Sequence, residues 1–105
     1  MSVLYGNLGG AWKALGEYKK AIEYYELALR SDLKTYGKLH PSVADRCYGM
    51  GAIYSNMEEW NKSMKNLSIA KKIYLKFLPE NHSTLKNIDT WIESVKDSLK
   101  NAKER

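Results

Sequence analysis

Residues 5–18, YGNLGGAWKALGEY, hold four glycines and a lysine. Glycines near a lysine suit a phosphate, because a bare backbone can turn its N–H groups onto the oxygens. Such a loop needs G-x-x-x-x-G-K-[ST] between a strand and a helix. Here Gly10 is followed by Ala11 and Trp12, and no strand pattern precedes it. The stretch fails as a nucleotide loop in both motif and context. His40 and His82 are a candidate metal pair. They stand 42 residues apart, with no cysteine or acidic cluster at zinc-like spacing. A histidine repeated at two helix starts reads as structural. Cys47 is the only cysteine, so no disulfide framework exists and a reducing, cytoplasmic setting is expected. No Ser/His/Asp set, catalytic carboxylate pair or metal motif occurs. The residues predict no enzyme, no cofactor and no metal.

The elements that position these residues are helical. The chain has 105 residues, enough for one domain with one core, and a net charge of +5. Its lysines are interleaved with Glu and Asp along the whole length, a pattern of solvated helix faces rather than one anion-binding patch. No apolar run is long enough to span a membrane, and no secretory signal is expected, since the N-terminus lacks a basic segment followed by an apolar run. From Tyr18, apolar residues recur at Ala21, Ile22, Tyr25, Ala28, Leu29 and Tyr36, the three- and four-residue spacing of an amphipathic helix. The stretch from Trp60 repeats this through Met64, Leu67, Ala70, Tyr74 and Leu78.

These stretches start 42 residues apart, and the same offset aligns much of the chain. It carries Leu8 onto Met50, Gly9 onto Gly51, Trp12 onto Tyr54, Leu15 onto Met57, Ala28 onto Ala70 and His40 onto His82. Matches at one fixed offset mark an internal repeat. The spacing predicts helices near 3–15 and 18–36, then 42–57 and 60–78. A fifth follows near 84–102, with the stripe Leu85, Ile88, Ile92, Val95, Leu99 and Ala102. Trp91 lies at the margin of that stripe. Its polar outer side suits a helix that shields the last pair from water. The expected division is a first repeat over 3–41, a second over 42–83 and a capping helix over 84–105, all in one domain.

The repeat resembles the tetratricopeptide repeat. The first unit supplies Tyr5, Leu8, Gly9 and Trp12, then Ala21, Tyr25 and Ala28. The second supplies Cys47, Met50, Gly51 and Tyr54, then Ser63, Leu67 and Ala70. Leu33 and Leu75 replace the family's terminal proline. The phrasing LGEYKKAIEYYELAL…YGKLHPSVA is similar to the long variant of kinesin light chains. The resemblance implies an all-α, right-handed superhelical solenoid of two helix pairs plus the cap. It makes Cys47 a core thiol, Gly9 and Gly51 the close helix crossings, and Gly16 a turn residue whose counterpart is Glu58. It places Gly6 and Gly10 on the floor of a concave groove.

The function implied is a non-enzymatic scaffold that holds a peptide or partner segment in that groove. Its lining would be Asn7, Gly10 and Lys13 from the first helix. The third would add Asp45, Tyr48, Ala52, Ser55 and Asn56, and the cap Trp91 and Ser94. The family's carboxylate clamp is not expected, because Gly6, Gly10, Gly49, Asn87 and Trp91 occupy its positions. The alternative reading is self-association through a stripe of Ile69, Ile73 and Phe77 on the fourth helix, or a place in a longer array. RNA reading is disfavoured, since groove positions that would read bases do not repeat: Gly6 pairs with Tyr48, Asn7 with Gly49 and Lys13 with Ser55.

Overall fold

Helical periodicity becomes five helices, with no strand among the described residues. The computed structural model describes residues 2–104 as α1 (Ser2–Ala14), α2 (Tyr18–Tyr36), α3 (Pro41–Asn56), α4 (Trp60–Phe77) and α5 (Ser83–Glu104). Successive helices pack on one another, and α3 also touches α5. The result is a flattened body, 43 × 33 × 20 Å. Among the described residues no helix is long and apolar enough to cross a membrane.

The 42-residue repeat reappears in the turns as matched hydrogen bonds. Gly16 N–H donates to the Lys13 carbonyl at 2.9 Å, and Glu58 N–H to that of Ser55 at 3.0 Å. The Glu17 and Glu59 N–H groups reach Trp12 and Tyr54, each at 2.9 Å. Both histidines cap a helix. Nδ1 of His40 accepts from the Ser42 N–H and Nδ1 of His82 from the Thr84 N–H, each at 3.1 Å. These bonds satisfy N–H groups that a helix start leaves without partners. A paired cation–π contact also repeats. Lys20 Nζ lies 4.4 Å from the Trp12 ring, and Lys62 Nζ lies 5.6 Å from Tyr54.

Close crossings explain three of the helical glycines. Each glycine costs about 1 kcal/mol of helix propensity against alanine, so each needs a neighbour that uses the space. A Cβ on Gly9 would meet Tyr25 Cδ2 at 2.8 Å, and one on Gly49 would meet Tyr25 Cε1 at 2.8 Å. The two glycines, on α1 and α3, hold opposite edges of one α2 ring. In the second pair Leu67 takes the place of Tyr25, and a Cβ on Gly51 would lie 2.7 Å from Leu67 Cγ. Ser63, buried where the first pair has Ala21, donates to the Gly51 carbonyl at 2.7 Å.

Gly6 corrects an expectation. It is buried, and a Cβ there would collide with the Arg46 guanidinium. Arg46 Nε in turn donates to Asp32 Oδ2 at 3.0 Å, with the Asp32 side chain 1 % exposed. The bare floor expected at Gly6 is therefore a seat for an ion pair joining α2 to α3. Moved 42 residues along, this trio becomes Tyr48, Tyr74 and Ile88. The junction with α5 is accordingly aromatic and aliphatic where the first is ionic.

The cap helix buries Leu85, Ile88, Ile92 and Val95 against Val43, Ala44, Cys47, Leu67 and Tyr74. Lys71 Nζ reaches Asp89 Oδ1 across α4 and α5 at 2.7 Å. Ile73, expected on an exposed stripe with Ile69 and Phe77, belongs to this core and is only 4 % exposed. It lies three residues from buried Ala70, within the arc that faces α5, whereas Ile69 is about 100° away from Ala70 around the helix. Ile69 and Phe77 are exposed, at 40 % and 48 %.

Two outcomes follow in urea unfolding, read as midpoint shifts at constant slope. Glu58 has φ 60, a left-handed conformation that its counterpart Gly16 also adopts at φ 79. Glu58→Gly relieves that strain and stabilises by about 1 kcal/mol, whereas Gly16→Ala destabilises by a similar amount. Asp32→Ala costs about 3 kcal/mol by stranding Arg46, while Asp32→Leu with Arg46→Met stays within about 1 kcal/mol of the parent.

Candidate functional site

Helix α3 is the central element, since it packs on α2, α4 and α5. One arc of it remains open beside the cap helix. Tyr48 lies on that arc, half-buried, and Trp91 approaches from α5. With Asn87, Thr90 and Ser94 they line a cleft of about 470 Å³. The positions 87, 90, 91 and 94 follow the three- and four-residue spacing that puts side chains on one helix face.

The aromatic floor is braced from behind. The Tyr48 ring meets Tyr74 edge-on, with centroids 6.4 Å apart and planes at 78°. Tyr74 Oη donates to the Asp45 carboxylate. Burial, then the hydrogen bond to Asp45, push the Tyr74 phenol well above its ordinary range. Burial also raises the Tyr48 phenol, and the neighbouring Trp91 offsets part of that rise. Both phenols are neutral near pH 7. The lining carries no formal charge, so the cleft suits an apolar group flanked by neutral hydrogen-bonding partners.

Of the residues expected to line a groove, Tyr48, Trp91 and Ser94 meet in this cleft. Asn87 and Thr90 join them. By sequence Asn87 stands out only as a clamp position, and Thr90 carries no signal beyond its spacing. Asp45 stands beside the cleft, held by Tyr74. Ala52 is 4 % exposed, a correction to its expected place in the lining, because α3 is covered by neighbours on most sides. Ser55 and Asn56 lie at the last turn of α3, where the Ser55 carbonyl accepts from Glu58. Asn7, Gly10 and Lys13 lie on α1, apart from this cleft. Gly10 is half-buried and keeps open space, its nearest neighbour for a Cβ being Tyr25 Oη at 3.8 Å. A second cleft, of about 460 Å³, lies where Trp60 meets Leu99 and Ala102.

The histidines and the cysteine are engaged structurally. Both histidines spend Nδ1 on helix capping. Among the described residues no three His, Cys, Asp or Glu side chains gather as a metal site would require. Cys47 is buried on α3, and burial pushes its thiol up to about 11.

A tetratricopeptide repeat family model matches residues 3–35. That segment is α1 with nearly all of α2, the pair in which the glycine crossing and the Ala21–Tyr25–Ala28 pattern are clearest. No curated protein matches the chain. The match supports a tetratricopeptide family, and the internal offset extends the same helix-pair construction to α3 and α4.

The buried thiol gives a direct check. At pH 8, Ellman's reagent reacts with Cys47 at least tenfold more slowly in the native protein than in urea, because attack needs an exposed thiolate. The sign of the linked stability follows from the raised value. The unfolded chain ionises Cys47 first, from its ordinary value of 9.0. Stability contributed by the neutral thiol is complete below pH 9 and is lost as pH rises towards 11. Tyr74 acts in the same sense. Urea midpoints measured between pH 8 and 11 fall accordingly.

Proposed function

We propose that the chain is a non-enzymatic protein-interaction module that holds an apolar side chain of a partner peptide between Tyr48 and Trp91. Tetratricopeptide repeats are in general protein–protein interaction scaffolds, and this reading gives the cleft that role. The long, kinesin light chain-like form and a right-handed superhelical path belong to the same proposal, supported by the 42-residue spacing. One observation carries it. Two aromatic rings from different helices line one open cleft whose other walls are neutral and polar.

The chemistry assigns roles. Tyr48 and Trp91 supply rigid apolar area, the kind of anchor on which binding energy concentrates. The Asn87 amide both donates and accepts, so it can pair with a peptide unit of an extended segment. Ser94 adds a hydroxyl. Lys13, beside the open backbone at Gly10, offers a separate contact on α1 that favours an acidic group on the partner. Self-association is the second reading, kept by the exposure of Ile69 and Phe77. It loses Ile73, which the core already uses.

A peptide array probed with the native protein, Tyr48→Ala and Trp91→Ala separates these readings. Each substitution weakens captured peptides by about tenfold or more, while Ile69→Ser leaves them unchanged. If neither aromatic substitution altered any captured peptide, the cleft would not be the binding site. Light scattering of the native protein reports a monomer. A dimer abolished by Phe77→Asp would favour self-association.

A further inference from the structure

One helix holds the whole net charge of the chain. Helix α4 carries Lys62, Lys65, Lys71, Lys72 and Lys76 and no Asp or Glu. Elsewhere twelve Lys and Arg are matched by twelve Asp and Glu, so the net +5 of the chain is that of α4. The even interleaving expected along the whole chain therefore fails at this helix. Nothing in the fold requires the excess. At the matching positions 42 residues earlier, α2 has Glu23 and Glu26 where α4 has Lys65 and Ser68.

Four of these lysines share one outer arc. Lys62, Lys65, Ile69, Lys72 and Lys76 follow the three- and four-residue spacing of a single helix face, a stripe about 21 Å long. Leu75 stands about 60° from Lys72 around the helix. All six are exposed, Ile69 at 40 % and Leu75 at 49 %. Lys62 meets the exposed Glu59 at 3.6 Å, and Lys71 is turned aside to Asp89. Among the described residues Lys65, Lys72 and Lys76 have no carboxylate at ion-pair distance. Beside the stripe, a cleft of about 310 Å³ lies between α4 and α5. Met64, Leu75 and Ile92 give it apolar walls next to Lys71, Lys72 and Lys96.

We propose that the outer face of α4 docks on the surface of an anionic phospholipid bilayer, resting in its interface without crossing it. Charge complementarity calls for an anionic partner, and the apolar residues choose among such partners. A lysine stem lies along apolar surface while its ammonium reaches a headgroup phosphate. Ile69 and Leu75, set among those stems, then meet the acyl boundary. A nucleic acid would leave both without a partner. The arc also holds no arginine for a bidentate contact and no aromatic ring for a base to stack on. The other side of α4 packs on α3 and α5, so the contact is shallow and rests mainly on charge. Near a negative membrane surface each lysine raises partitioning about fivefold.

Vesicle sedimentation with the 105-residue protein tests this. At about 0.1 M salt the protein sediments with phosphatidylcholine vesicles that hold about 30 % phosphatidylserine. It stays in solution with phosphatidylcholine alone. Lys65→Gln with Lys72→Gln lowers the partition coefficient about twentyfold. The same loss of charge at Lys38 and Lys100, away from the stripe, changes it less than about threefold. Ile69→Ser with Leu75→Ser leaves the charge intact and lowers it at least about threefold. All these positions are exposed, so the variants fold, and matching urea midpoints check that they do. No sedimentation with the anionic vesicles would overturn the proposal. So would an equal loss from the two lysine pairs, or no loss from the apolar pair. Polyuridylate or polyglutamate bound as tightly as the vesicles would also overturn it, by making the stripe a surface for any polyanion.

Discussion

The Tyr25 ring, held at its two edges by Gly9 and Gly49, is the contact on which the arrangement of the helices depends. Tyr25 belongs to α2, and the two glycines belong to the helices on either side of it. With a Cβ at either place the ring would have to retreat into the other helix, and interiors packed at crystal-like density do not absorb such a shift cheaply. The contact therefore sets two distances at once, that within the first pair and that between the pairs. Two glycines in helix interiors cost about 2 kcal/mol of propensity together. That sacrifice is tolerable because the ring joins three helices around the cluster of Ala21, Ile22, Met50 and Ile53.

The second junction uses the same positions with different chemistry. Where the first has Gly6, Asp32 and Arg46, it has Tyr48, Tyr74 and Ile88. The ionic version is closed, because a guanidinium fills the space above Gly6. In the aromatic version Tyr74 packs inward and Tyr48 is left half in solvent, next to Trp91. The cleft thus follows from how repeat units diverge. The fold tolerates either solution at these positions, and only one leaves an aromatic surface for a partner.

Much of the helical framework was legible because periodicity and the 42-residue offset are local, additive signals. The turns and the histidines repeated at helix starts follow from them, and the tetratricopeptide resemblance adds the buried thiol and the crossing glycines Gly9 and Gly51. The Gly6 seat was not legible. Arg46 and Asp32 are fourteen residues apart, and no pattern on one helix shows which long side chain will fold over a glycine on another. Gly49 was hidden for the same reason, since its partner Tyr25 fits a core position by itself. In the cleft, Tyr48, Trp91 and Ser94 could be picked out by register. Thr90 depends on how α5 rotates against α3, and Ala52 was lost to the groove because α3 is covered on most sides. The place of Ile73 likewise depended on the angle at which α5 crosses α4.

The most direct test is a double-mutant cycle on the Tyr25 contact, read as urea midpoints of Gly49→Ala, Tyr25→Ala and the double variant. With Tyr25 present, Gly49→Ala is destabilising by about 1–3 kcal/mol, because the new methyl overpacks against the ring. In the Tyr25→Ala background the same change is neutral or stabilising by up to about 1 kcal/mol, since alanine favours the helix and fills part of the vacated space. An equal cost in both backgrounds would contradict the account, showing that Gly49 is needed for some reason other than the ring.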